Sequence, residues 1–186
     1  FQNYLIKKME LDNKVQLYAG ARYHNFKDFI KFPTLGKTHL LNPVQQHIAH
    51  PDLEKTRSIL DKMKAKDILL YYPYHSFDYF LDLLREAAID PNVSHIRCTL
   101  YRVASNSHVI KSLITALHNG KDVTVFIELR ARFDEEANID WATALRDEGA
   151  RVITGISGLK VHSKLCLITR REKGHKIYYG AIGTGN

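Results

Sequence analysis

From position 52 onward the apolar residues switch between helical and extended spacing, and that switching is the strongest signal in the chain. Asp52 is placed to cap a helix whose apolar positions Leu53, Ile59, Leu60 and Met63 share a face, and Ile68-Leu69-Leu70-Tyr71 then reads as a buried strand. Ser76 is the expected cap of a helix with Phe77, Phe80, Leu81, Leu84 and Ala88 at i, i+3, i+4 spacing, stopped by Asp90-Pro91-Asn92. His95 to Tyr101 is the next strand. Ser107 caps a helix with Val109, Ile110, Leu113, Ile114 and Leu117 on one side, and Gly120 ends it. Val123 to Leu129 is the clearest buried strand, and Asp134, Glu135 and Glu136 suit the positive end of a helix running to about Glu148. Arg151 to Thr154 is a short strand. Lys160 to Thr169 and Lys176 to Ala181 are two more, joined by a polar turn at Glu172-Lys173-Gly174 as a hairpin.

Strands alternating with helices are the sequence form of βαβ units, so the expected class is α/β, a mainly parallel or mixed sheet with helices on its faces. Residues 1 to 49 are less periodic, with Pro33, Gly36 and Pro43 punctuating aromatic and basic residues, and irregular packing is expected there.

Composition narrows the class. The 186 residues suffice for one domain or a domain plus a tail, and 45% hydrophobic content is what a packed core requires. Lys and Arg number 27 against 20 Asp and Glu, and the resulting net charge of +7 favours an anionic partner. No run of like charge marks a disordered basic arm of the kind that wraps nucleic acid. Phosphate, nucleic acid and acidic lipid stay open on charge alone. Cys98 and Cys166 lie in apolar contexts without CxxC spacing, so neither a zinc site nor a disulfide framework is expected and a reducing, intracellular setting fits. The apolar stretches are strand-sized, short of the roughly 20 residues a membrane-spanning helix needs. A start at Phe1 without a charged-then-apolar leader reads as an excision from a longer protein, and the turn-like Gly183-Thr184-Gly185-Asn186 reads as a cut end.

The richest candidate chemistry is Gly158-Leu159-Lys160-Val161-His162-Ser163-Lys164-Leu165. On a strand, alternate residues point the same way, so Lys160, His162 and Lys164 would project together from one face. An imidazole between two ammonium groups suits phosphoryl transfer: the cations spread charge over the phosphoryl oxygens, and neutral imidazole can attack phosphorus. The plainer alternative is a half-exposed histidine beside two solvated lysines. Leu100-Tyr101-Arg102 lies just past one strand, and Glu128-Leu129-Arg130-Ala131-Arg132-Phe133-Asp134 where another meets a helix. Ligands of parallel α/β sheets bind outside the carboxyl ends of strands, which places Arg102, Arg130 and Arg132 where a phosphate chain would be held. The alternative is surface arginines paired with Glu128, Asp134 or Glu135. His47, His50, His75, His95, His108, His118 and His175 lack ligand spacing and read as surface or packing residues. Gly183-Thr184-Gly185 matches no established phosphate loop, and Tyr71-Tyr72-Pro73-Tyr74 reads mainly as packing.

These motifs, with Arg22-Tyr23-His24-Asn25-Phe26-Lys27-Asp28-Phe29, Leu69-Leu70-Tyr71-Tyr72-Pro73-Tyr74-His75-Ser76-Phe77 and Ala131-Arg132-Phe133-Asp134-Glu135-Glu136-Ala137-Asn138-Ile139, resemble bacterial polyphosphate kinase in family order over most of the chain. The resemblance implies that residues 1–49 are the end of a helical head domain. Residues 50–186 would then be most of the first of two phospholipase-D-like catalytic domains. It implies reversible transfer of the terminal phosphate of ATP to inorganic polyphosphate through a phosphohistidine, with magnesium as cofactor and ATP, ADP and polyphosphate as partners. No nucleic acid partner is expected, and the full-length enzyme is expected to be a cytoplasmic homo-oligomer, with peripheral membrane association left open.

His162 falls on the family's phosphorylated histidine, and Arg102 and Arg132 fall on positions linked to magnesium; Lys164 and Lys160 are expected to stabilise phosphoryl charge. A guanidinium has no lone pair to offer a metal, so the arginines are expected to hold phosphate oxygens that themselves bind the ion. Phospholipase-D enzymes carry Asp where Thr169 stands here, which counts against a phosphodiesterase or nuclease half-site. A non-catalytic polyanion-binding module is the other alternative.

Overall fold

The computed structural model describes residues 1–11, 17, 32–104, 106–129, 135–156 and 158–184. The chain divides into two compact units, Phe1–Val44 and Gln45–Asn186. Among its described residues the first contains helix α1 (Gln2–Lys8) and a 3₁₀ turn, Thr38–Leu40.

The second unit runs α2 (Ile59–Ala65), α3 (Asp78–Ile89), β1 (Val93–Leu100), α4 (His108–His118), β2 (Asp122–Ile127), α5 (Glu135–Asp147), β3 (Arg151–Thr154), β4 (Lys164–Glu172) and β5 (His175–Gly183). Its five strands form one mixed sheet in the order β3-β2-β1-β4-β5. β1, β2 and β3 are parallel, and β4 turns back antiparallel to both β1 and β5. The expected α/β class with a mixed sheet and flanking helices is therefore found.

Register sorts the side chains. Ile96, Val123 and Ile168 fall in line across three strands, as do Cys98, Val125, Val152 and Cys166, and these residues belong to one apolar core with Leu84 of α3, Leu113 of α4 and Leu145 of α5. The opposite face carries Arg97, Ile153, Leu165, Leu167 and Tyr178, all exposed. The two crossovers β1-α4-β2 and β2-α5-β3 step the same way along the sheet, so right-handed connection puts both helices on one face. Cys98 and Cys166 are free thiols paired across β1 and β4, and burial pushes both up, Cys166 to about 12.

Local chemistry explains the boundaries. Ser107 Oγ accepts the Ile110 amide and starts α4 as the sequence indicates. The β4-β5 hairpin turns on Lys173 (φ 48°) and Gly174 (φ 84°), a two-residue loop with both residues left-handed, which matches strand twist. Three expectations shift. The helix expected from Asp52 begins instead after Ser58, because Glu86 of α3 accepts the Ile59 and Leu60 amides and the Ser58 hydroxyl, while Asp52 pairs with Lys66 at 2.7 Å. Ser76 sits one residue before the cap position, accepting the Asp78 amide. Ile68–Tyr71 is not a strand: it has no ladder partner, Leu69 is exposed, and the Tyr71 amide goes to His75 Nδ1. A short apolar run does not distinguish these outcomes by periodicity. Among the described residues no helix is long and apolar enough to cross a membrane.

Candidate active site

β1 and β2 end side by side at Leu100 and Ile127, and the register of β4 on β5 sets Lys164 beside Gly183. Because β4 runs against β1, its first residue lies at the same edge of the sheet as the last residues of β1 and β2. Tyr101 leaves β1 at that edge and becomes the centre of the cluster. Its ring centroid lies 4.7 Å from that of His162, edge-on at 72°. Lys164 Nζ is 4.6 Å from the ring centroid, and Lys160 Nζ and Arg102 Cζ are each 5.7 Å from it. His162, Lys164, Lys160 and Arg102 are thus brought together. Arg130 and Arg132 lie outside the described residues, as do Gly185 and the Arg22–Phe29 motif.

The convergence does not come from strand alternation. β4 opens only at Lys164, so Lys160 and His162 precede the strand. Regular pairing of β1 with β4 stops at Cys98 and Cys166, and side chains take over from the ladder. Thr99 Oγ1 donates to Ser163 O at 2.6 Å and accepts from Leu165 N at 2.9 Å. On the other flank, Glu128 Oε2 accepts from Val161 N at 2.8 Å. The histidine lies between these two anchors, exposed, with its ring against Tyr101. Asn138 of α5 completes the support by donating its amide to Tyr101 O at 2.8 Å and to Glu128 O at 3.0 Å. That joins the two strand ends from behind.

Electrostatically the site asks for an anion. Lysine and arginine are drawn to the negative face of an aromatic ring, and three cations around one ring also repel each other. The strain registers on Lys164: partial desolvation, then the charge of Arg102, hold its ammonium below the ordinary lysine range. Lys164 Nζ also donates to His162 O at 2.7 Å, tying the lysine to the backbone of the histidine.

The donor set does not fit a magnesium ion ligated directly by these side chains. Magnesium takes oxygen ligands, whereas the converging groups are ammonium, guanidinium and imidazole, and Glu128 is buried with one oxygen committed to Val161. Among the described residues no group of three or more His, Cys, Asp or Glu is placed to hold a metal. Surface depressions lined by Arg85, His108 and Lys111, and by Arg57, Tyr79 and Glu86, share no residue with the cluster. The candidate groups lie instead at the open edge where His162 and the cations meet.

Several other histidines have structural work. His50 Nδ1 accepts the Asp52 amide, His75 Nδ1 accepts the Tyr71 amide, and His47 donates to Pro73 O. His95 and His118 face Asp122 and Glu148.

The family description "Polyphosphate kinase C-terminal domain 1" matches residues 58–186, which include every element of the sheet and the whole described cluster. The chain belongs to the polyphosphate kinase family. It is 50% identical over 184 residues to a polyphosphate kinase of Vibrio parahaemolyticus, covering 99% of this chain and 26% of that relative. It is 49% identical over 184 residues to polyphosphate kinase of Escherichia coli, covering 98% of this chain and 27% of the relative. The crystal structure of polyphosphate kinase from Porphyromonas gingivalis superposes with a TM-score of 0.67 at 37% identity, over 88% of this chain and 27% of that one. The chain spans about a quarter of the length of these polyphosphate kinases.

Within this family framework, Glu128, Asn138 and Thr99 are the site residues that sequence reasoning passed over. Glu128 was legible only as a possible arginine partner, although a carboxylate closing the apolar run Val123 to Ile127 is itself a signal, because such a group is buried only with partners. Asn138 lies in the Ala131–Ile139 motif but carries no assigned role there, and Thr99 carries no pattern. Thr169 is buried in β4, five residues beyond Lys164, and offers no carboxylate.

Proposed function

We propose that this chain carries the histidine-bearing half of the phosphoryl-transfer site of a polyphosphate kinase, with His162 as nucleophile. An imidazole nitrogen of His162 attacks the terminal phosphorus of ATP. The bond from phosphorus to the bridging oxygen breaks, and ADP leaves with the electron pair. A terminal oxygen of inorganic polyphosphate then attacks the phosphohistidine, the nitrogen–phosphorus bond breaks, and the imidazole recovers its lone pair. Running the steps backward makes ATP from polyphosphate.

The observation that supports this reading is the gathering of His162, Lys164, Lys160 and Arg102 around the Tyr101 ring at the carboxyl edge of β1. Lys164 and Lys160 stabilise charge on the phosphoryl oxygens as it develops, and Arg102, with Arg130 and Arg132, holds the phosphate chain. We assign magnesium to phosphate oxygens of the substrate rather than to protein side chains. The phospholipase-D-like architecture, residues 1–49 as the end of a head domain, and a cytoplasmic homo-oligomer belong to the same proposal. The rest of the site is assigned to other parts of the longer polypeptide, consistent with a chain that spans 26% of a relative.

The test is intact-mass spectrometry of the chain, and of a longer polypeptide containing it, after incubation with ATP or polyphosphate and magnesium, without acid. One phosphoryl adduct that disappears in His162→Ala is the expected result. Absence of the adduct from the longer polypeptide overturns the reading.

A further inference from the structure

Two polar side chains near the site are almost wholly buried, and both hydrogen-bond to backbone within the cluster or beside it. Glu128 is 2% exposed and Asn138 0% exposed. Burying a carboxylate or an amide is costly unless its bonds are made; the amide nitrogen of Asn138 makes two, while its Oδ1 has no partner among the described residues.

Glu128 Oε2 takes the amide of Val161, the residue immediately before His162. Thr99 Oγ1 takes the flank on the other side, through Ser163 O and Leu165 N. His162 is therefore the one residue between two anchors, in a segment that lies outside the strand ladder. Asn138 sends both of its amide bonds to neighbouring strand ends, to Tyr101 O and to Glu128 O. It couples the residue whose ring contacts the imidazole to the residue that fixes the histidine's backbone.

We propose that Glu128 and Asn138 form a buried clamp of positioning residues that holds His162 and Tyr101 in the geometry needed for attack on phosphorus. The inference rests on the reading of His162 as nucleophile. The clamp acts through orientation: a displacement of about 1 Å in a reacting group can cost about 100-fold in rate. It touches neither substrate nor reacting atoms, so its loss lowers kcat and leaves the nucleotide KM nearly unchanged.

The experiment uses the full-length polypeptide that contains this chain. Glu128→Ala removes the acceptor, Glu128→Gln keeps an oxygen able to accept the Val161 amide, and Asn138→Asp keeps the size of Asn138 but removes both amide donors. Each is assayed for kcat and KM, normalised to folded protein by circular dichroism, with amide hydrogen exchange at Val161 measured alongside. Glu128→Ala is expected to lose about 10- to 100-fold in kcat with little change in KM and to lose protection at Val161. Glu128→Gln is expected to restore most of both. A folded Glu128→Ala protein with wild-type kcat overturns the proposal, as does a Glu128→Gln protein as slow as Glu128→Ala. Should Glu128→Ala fail to fold, Asn138→Asp decides: a loss in kcat at constant KM supports the clamp, and wild-type kcat overturns it. His162→Ala run in parallel separates the two readings, because activity surviving in that variant removes the nucleophile assignment whatever the clamp variants do.

Discussion

The imidazole of His162 meets the ring of Tyr101 edge-on, 4.7 Å between centroids at 72°, and three cationic side chains lie within 5.7 Å of that ring's centre. The contact limits how the imidazole can turn, and it runs through the ring rather than through the phenol oxygen. Aromatic edge contacts contribute about 0.5–1.5 kcal/mol beyond area burial, and exposed cation–π contacts about 0.5–1 kcal/mol each. Tyr101→Leu is therefore expected to slow phosphorylation of His162 by about tenfold, a loss of about 1.4 kcal/mol, and Tyr101→Phe to stay within about threefold of the parent. Single-turnover phosphorylation by ATP measures both. Equal losses in the two variants would show that the hydroxyl, not the ring, matters.

Lys164 yields a prediction about pH. Desolvation and then the neighbouring Arg102 charge lower its pKa, so its ammonium deprotonates earlier than an ordinary lysine as pH rises. Phosphoryl transfer should fall on the alkaline side before an unperturbed lysine would titrate, near pH 10.4. Arg102→Gln removes one repelling charge and should move that alkaline limb upward even as it weakens nucleotide binding. A pH–rate profile that keeps its alkaline limb in place after Arg102→Gln would dissociate the limb from this pair.

Glu172 yields a prediction about acid stability. Its carboxylate accepts from Lys64 and Tyr179 and from Arg170, and those bonds hold its pKa down to about 2. A folded-state pKa below the unfolded value stabilises the fold above the unfolded pKa, near 4.3, and that contribution disappears as pH falls toward about 2. Thermal unfolding of Glu172→Gln should show a lower Tm than the parent at pH 7 and a smaller loss between pH 5 and 2. Parallel acid limbs for the two proteins would show that the network does not set them.

Glu86 is the acceptor that begins α2. It takes the Ile59 amide at 2.7 Å, the Leu60 amide at 3.3 Å and the Ser58 hydroxyl, all from another helix. Glu86→Ala leaves helix-terminal donors without their acceptor, and is expected to cost about 1–3 kcal/mol. A lower urea midpoint at unchanged slope is the expected signature. A midpoint shift of zero would mean that water replaces the carboxylate without loss.

The strands β1, β2 and β3 and the helices α3, α4 and α5 were legible because each must bury one face. Val123, Val125 and Ile127 alternate with half-buried neighbours, and Ile110, Leu113 and Ala116 lie on one helical face, so local pattern and burial agree. Ile68–Tyr71 departs from the strand its apolar run suggests, because such a run becomes a strand only where another strand supplies its hydrogen bonds. The grouping of Lys160, His162 and Lys164 was anticipated from a strand, whereas the structure groups them through Thr99 and Glu128 in a segment before the strand.

The α/β class, most of the elements and the residue types of the candidate site follow from local pattern, because periodicity and side-chain chemistry are local properties of the chain. Only the tertiary structure decided that Tyr101 is the hub, that Glu128 and Thr99 anchor the residues flanking His162, and that Asn138 ties the strand ends together. Those bonds join residues 10 to 66 positions apart. No local pattern marks such pairs, since a hydrogen bond depends on which backbone the folded sheet brings within about 3 Å of a side chain.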